Sequence, residues 1–190
     1  MKISNGVREK AFTLNELLIT VAIFIIVTGA IYGGYNLSQK AYRESEIAAE
    51  ITQNSRVIIE RMNREIRQAK ELVGDFPEEK QDAENEITLE DGHVAEPYQY
   101  IHYFIEDSTI KREVLGFYFS GDPEEVLVPW DAIPPAGQSL EVKTLESAKI
   151  IGEWVKNLEI WGSGIINVAL ELQKNDKSFY LETKILGRNF

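Results

Sequence analysis

Apolar residues follow two different patterns along the first part of this chain, and the change between them separates its parts. From Leu17 to Gln39 there is no Asp, Glu, Lys or Arg, a run long enough to cross a bilayer, which takes roughly twenty helical residues. Beyond Lys40 the apolar residues thin to a stripe, Ile47, Ile51, Ile58, Met62, Ile66, Ala69 and Val73, recurring at the helical spacing that marks one buried face. Together the two patterns predict one continuous helix from about Phe12 to about Val73, about 90 Å long by its rise per residue. Gly74, followed by Asp75-Phe76-Pro77, is a stop signal. Gly29, Gly33 and Gly34 fall in the second half of the span, where each lowers helix propensity by about 1 kcal/mol relative to Ala. Helix-packing points and places where the helix softens fit these glycines equally well.

After the helix comes an acidic, loop-like stretch from Asp75 to Pro97, with a short strand at Ile87 to Leu89. The period then changes to two. Tyr98, Tyr100, His102 and Phe104 alternate with Gln99, Ile101, Tyr103 and Ile105, a strand with bulky residues on both faces. Glu106-Asp107-Ser108 is turn-like, Thr109 to Leu115 returns as the hairpin partner, and Phe117-Tyr118-Phe119 extends it or adds a strand. Pro129, Pro134, Pro135 and Gly137 mark an irregular connection. Trp154 to Trp161 reads as a further strand ended by Gly162-Ser163-Gly164. Finally Ile166, Val168, Leu170 and Leu172 share a face with Phe179, Leu181, Thr183 and Ile185 across the turn Lys174-Asn175-Asp176-Lys177, a hairpin with one apolar side. The predicted class is α+β: a long N-terminal helix whose second half packs on an antiparallel sheet. The predicted parts are a leader at 1–11, a membrane-spanning half-helix at 12–39, an amphipathic half-helix at 40–73 and a β-rich domain at 74–190.

Charge fixes the orientation. Lys2, Arg8 and Lys10 against Glu9 give the leader +2, so the formal net charge of -11 becomes -13 without it. Cations on the N-terminal flank put the leader in the cytoplasm and the β-rich domain outside, as a single-pass membrane protein. A secretory signal peptide is the competing reading. Its apolar region would be too long, Glu16 would interrupt the start of it, and the helical pattern continues past it. The acidic balance repels phosphate backbones, so direct nucleic-acid binding is not expected. With no cysteine, neither a disulfide framework nor a thiolate zinc site can form.

Ala11-Phe12-Thr13-Leu14-Asn15-Glu16-Leu17-Leu18 resembles the prepilin cleavage and methylation motif of type IV pilins and type II secretion pseudopilins. That motif runs from a small residue through Phe-Thr-Leu, one further residue, Glu and a leucine pair into an apolar helix. Ala11 stands where the family has Gly, and Asn15 where it has an aliphatic residue. The segment Ser55 to Ala69 and the ending Arg188-Asn189-Phe190 are similar to minor pilins and J-type minor pseudopilins. The resemblance implies cleavage between Ala11 and Phe12 by a membrane prepilin peptidase, N-methylation of Phe12, and transfer into a filament of bundled helices. It implies a structural subunit that initiates or caps a pilus, a competence pilus or a secretion endopilus, with other such subunits as partners. A carboxylate among apolar helices is costly unless it meets a cation. The new amine on Phe12 of a neighbouring subunit would supply one to Glu16.

Other candidates are weighed against plainer roles. Asp82, Glu84 and Glu86 are candidate calcium ligands, hard oxygens of the right chemistry. They lack a ligand-loop pattern, so a solvated loop is favoured and no cofactor is expected. His93 and His102 sit in no metal or triad spacing and read as turn and strand residues. Arg56, Arg61, Arg64, Arg67 and Lys70, interleaved with Glu60, Glu65 and Glu71, read as a solvated face with pairs one turn apart. Ser163 lacks a nucleophile-elbow pattern, and Trp130, Trp154 and Trp161 read as core. With no nucleophile, base and orienting group in view, a non-enzymatic role is expected. A membrane-tethered binding module with no filament role is the alternative.

Overall fold

The computed structural model describes residues 13–74, 76–92 and 98–188. Helix α1 runs from Leu14 to Gln68. The chain divides into two compact units after Glu46, and each is described by itself.

In the first unit every described side chain from Thr13 to Glu46 is exposed. Leu14, Phe24, Ile26 and Ile31 are among the large apolar residues left open. A helix that is apolar all round belongs in lipid or among other helices. The helix is long and apolar enough to cross a membrane.

In the second unit the stripe does what its spacing predicts. Ile51, Ile58, Met62, Ile66 and Ala69 are buried, with Ile47 packed against the same core. At about 1.5–3 kcal/mol for each large apolar side chain buried, this face outweighs helix propensity in holding the segment. The expected end at Val73 is corrected: the helix stops at Gln68. The following backbone bonds to a strand instead. Lys70 N–H donates to Glu90 O at 3.1 Å, Val73 N–H to Thr88 O at 2.9 Å, and Glu90 N–H to Glu71 O at 2.9 Å. Gly92 allows this junction to close, because a Cβ there would lie 1.8 Å from the Gln68 carbonyl oxygen.

The seven strands are β1 (Ile87–Glu90), β2 (Gln99–Glu106), β3 (Thr109–Phe119), β4 (Leu140–Glu153), β5 (Val155–Trp161), β6 (Ile165–Lys174) and β7 (Lys177–Leu186). All pairings are antiparallel. The single sheet expected is corrected to two, one ordered β1-β2-β3-β4 and the other β5-β6-β7. The division falls at Trp154, whose φ of 61° turns the chain out of one sheet and into the other. The hairpin expected at the C-terminal end forms, and the residues expected to share a face are paired. Leu172 faces Phe179, Leu170 faces Leu181, Val168 faces Thr183 and Ile166 faces Ile185. Two-residue turns close the β2–β3 and β6–β7 hairpins. Asp107 and Ser108 sit at φ 49° and 58° between the paired Glu106 and Thr109, the conformation that suits the twist of a tight hairpin. Both sheets and the helix stripe contribute to one core, in which Ile58 and Met62 join Leu89, Tyr103 and Ile110 of the first sheet and Leu158, Val168 and Leu170 of the second. Strand β4 packs so closely on α1 that a Cβ on Gly152 would lie 2.2 Å from Ile58 Cδ1.

Candidate functional site

The acid at the head of the apolar helix has a local partner. Thr13 and Glu16 form a reciprocal capping box. The Thr13 N–H and hydroxyl both donate to Glu16 Oε2 at 2.9 Å, and Glu16 N–H donates to Thr13 Oγ1 at 3.4 Å. Two backbone donors at a helix start are satisfied this way, and Thr-x-x-Glu is the sequence that does it. Leu17 N–H donates to Thr13 O at 3.2 Å and starts the helical ladder. Among the described residues the Glu16 carboxylate is bonded only by Thr13, and it is exposed at the edge of an apolar surface that is also exposed. Such a group can keep its cap and still accept a cation from outside. Ala11 and Phe12 lie outside the described residues, as do His93, Asn189 and Phe190.

The acidic stretch does not gather. Asp82, Glu84 and Glu86 are all exposed. Among the described residues no three His, Asp or Glu side chains are placed to hold a metal ion. Asp82 ends a short 3-10 turn, Lys80–Asp82. Glu84 pairs through its backbone with Ile160, giving N···O distances of 3.0 and 2.8 Å. Glu86 reaches His102 Nε2 at 3.3 Å. The segment is fastened to the second sheet by Lys80, whose ammonium donates to Tyr180 Oη at 2.7 Å and Glu182 Oε2 at 3.2 Å and lies 5.0 Å from the Trp161 ring centre. The Tyr180 hydrogen bond, with Glu182 behind it, raises the Lys80 pKa despite some desolvation.

His102 is a strand residue. Its Nδ1 lies 2.9 Å from Glu113 Oε1, and its ring stacks on Phe104 at 4.9 Å. Trp161 is core, whereas Trp130 and Trp154 are half-buried. Trp130 Nε1 donates to Glu71 at 2.8 Å, and the Lys174 ammonium sits 3.8 Å from the Trp154 ring centre. Ser163 is exposed in the break between β5 and β6.

The charged band on α1 contains one member that is not solvated. Glu65 is buried. It accepts the Tyr103 hydroxyl and is gripped by Arg112, whose Nε lies 3.2 and 3.1 Å from its two oxygens, with Arg61 Nε at 3.4 Å. The reading of Glu65 as a solvated residue is corrected. Burial, then the charge of Glu65, pushes the Tyr103 pKa strongly up. Burial works against the Arg112 charge, but the hydrogen bond and charge of Glu65 prevail and raise its pKa. The signal was present in the spacing: Glu65 lies between Met62 and Ala69 on the buried stripe, where a carboxylate needs partners. This network ties α1 to β2 and β3.

Comparisons with protein-family models, curated proteins and solved structures find no match to this chain.

Proposed function

We propose that this chain is a minor pilin or pseudopilin, a structural subunit that initiates or caps a type IV filament after its leader is removed between Ala11 and Phe12. The observation that carries the reading is Glu16, a capped but outwardly open carboxylate at the head of a helix whose apolar surface is exposed all round. Bundling such helices would bury that surface, and the amine created on Phe12 of a neighbour would neutralise the acid that enters with it. Before assembly the same helix would hold the subunit in the cytoplasmic or inner membrane, with the β-rich unit outside. The role is binding and positioning, and it needs no cofactor or bound calcium.

The alternative, a membrane-tethered binding module, rests on the same apolar helix and uses Glu16 only as a cap. The mature N-terminus separates them. Mass spectrometry of the protein from its membranes should find N-methylated Phe12 as the first residue. An intact Met1, or cleavage beyond the apolar span, would sink the filament reading.

A further inference from the structure

Most cations of the second unit are paired with an acid: Lys70 with Glu90, Lys80 with Glu182, Arg112 with Glu65 and Lys156 with Glu171. Arg64, Arg67 and Arg188 are not, nor are Arg56 and Lys184, which lie outside the groove described next. None of the first three makes an ion pair with a described residue, although Glu60 lies one turn from Arg64. They converge instead on one groove of about 640 Å³ between the last turns of α1 and the end of β7, lined also by Glu60, Asn63 and Leu186. That volume is within the range of about 300–1,000 Å³ typical of ligand clefts. All three arginines are exposed, on a chain of net charge -11. Each presents the planar fork of donors that fits a carboxylate.

We infer that this groove docks an acidic peptide segment of a partner chain, with the three guanidiniums taking its carboxylates. The chemistry of the lining favours peptide over a dense phosphate. Glu60 sets a negative charge among the arginines, which opposes a dense polyphosphate more than the spaced carboxylates of a peptide. The Asn63 amide offers both a donor and an acceptor for a peptide backbone, and the exposed Leu186 adds an apolar contact for a side-chain stem. The carbonyl end of α1 weakens the positive field locally, so binding should be modest and salt-dependent. The inference goes beyond the filament reading and does not depend on it, because binding is measured on the single chain.

The test uses the full chain in a non-ionic detergent, titrated with fluorescein-labelled hexaglutamate and, separately, hexaglutamine. Hexaglutamate should bind at least tenfold more tightly than hexaglutamine at low salt, and should weaken roughly fivefold between 50 and 200 mM salt. Arg64→Glu combined with Arg67→Glu should abolish the difference. Arg56→Glu, an exposed change on α1 outside the groove, should leave it unchanged. Circular dichroism on each variant confirms that the helix and sheets persist. A variant that loses the fold is replaced by Arg188→Glu, which lies past the last strand. Equal binding of the two peptides, full binding by the double variant, or displacement by tripolyphosphate at lower concentration than by free hexaglutamate would each overturn the inference.

Discussion

Glu65 ties three groups on three elements together: Arg61 on its own helix, Tyr103 on β2 and Arg112 on β3. With only 10% and 12% of the Glu65 and Arg112 side chains exposed, removing one member strands the others in a poor solvent. Glu65→Ala should therefore lower stability by about 3 kcal/mol. Glu60→Ala, exposed on the same helix, should stay within about 0.5 kcal/mol. Chemical denaturation of the two variants beside the parent checks both. The same cluster gives a pH dependence. Burial raises the Tyr103 pKa above its ordinary value near 10, so the folded chain holds that phenolic proton more tightly than the unfolded one. The stabilisation is complete below about pH 10 and is lost as pH rises beyond it. Melting temperature should fall between pH 9.5 and 11 more steeply in the parent than in Tyr103→Phe, and equal slopes would contradict the assignment. This cluster was legible only in part. The stripe position of Glu65 could be counted in the sequence, but which strands supplied its partners depended on pairings between residues far apart in the chain.

Elements were readable in proportion to how one-sided their burial is. The hairpin of β6 and β7 buries alternate residues, and both its strands and the face they share follow from that alternation. Strand β4 is the opposite case. It is the longest strand but lies at a sheet edge with most of its side chains exposed, among them Val142 and Ile150. Without a buried face it has no apolar period to reveal it. Its register shifts opposite β3 and its Lys and Glu residues are the features that keep an exposed edge from pairing with other chains. The helix end was misplaced for a related reason. Gly74 is a valid stop signal, but the edge of β1 offers the backbone hydrogen bonds from Lys70 onward, and that tertiary contact takes precedence over local propensity. Turns are the most local elements, and their chemistry supports a prediction. Ser108 occupies a left-handed conformation at φ 58°, which costs an L-residue energy that glycine avoids. Ser108→Gly should raise stability by about 0.5–1 kcal/mol after the greater freedom of glycine in the unfolded chain is allowed for. That is a few degrees in thermal melting for a chain of this size. Ser108→Val should lower the melting temperature, and a gain with valine would rule out the turn as the cause.

At the scale of the molecule, the sequence makes the membrane-length helix plain because a charge-free run is a matter of composition, and compositional signals survive without any knowledge of contacts. The role of Glu16 is harder to read, since the same Thr-x-x-Glu spacing serves a helix cap and an assembly contact. The structure makes these two roles separable. Glutamine at the third helical position also completes a capping box, because its amide oxygen accepts the hydrogen bond from Thr13 N–H as a carboxylate does. Glu16→Gln therefore keeps the cap geometry and removes only the charge, whereas Glu16→Val removes both. If Glu16 meets the amine of a neighbouring Phe12, Glu16→Gln should still insert in the membrane and fold, yet fail to assemble, like Glu16→Val. Cross-linking between helices of neighbouring subunits, scored beside circular dichroism of the same preparations, reads the two properties apart. Assembly retained by Glu16→Gln and lost by Glu16→Val would show the acid acting as a cap, and the charge pair with Phe12 would then have to be abandoned.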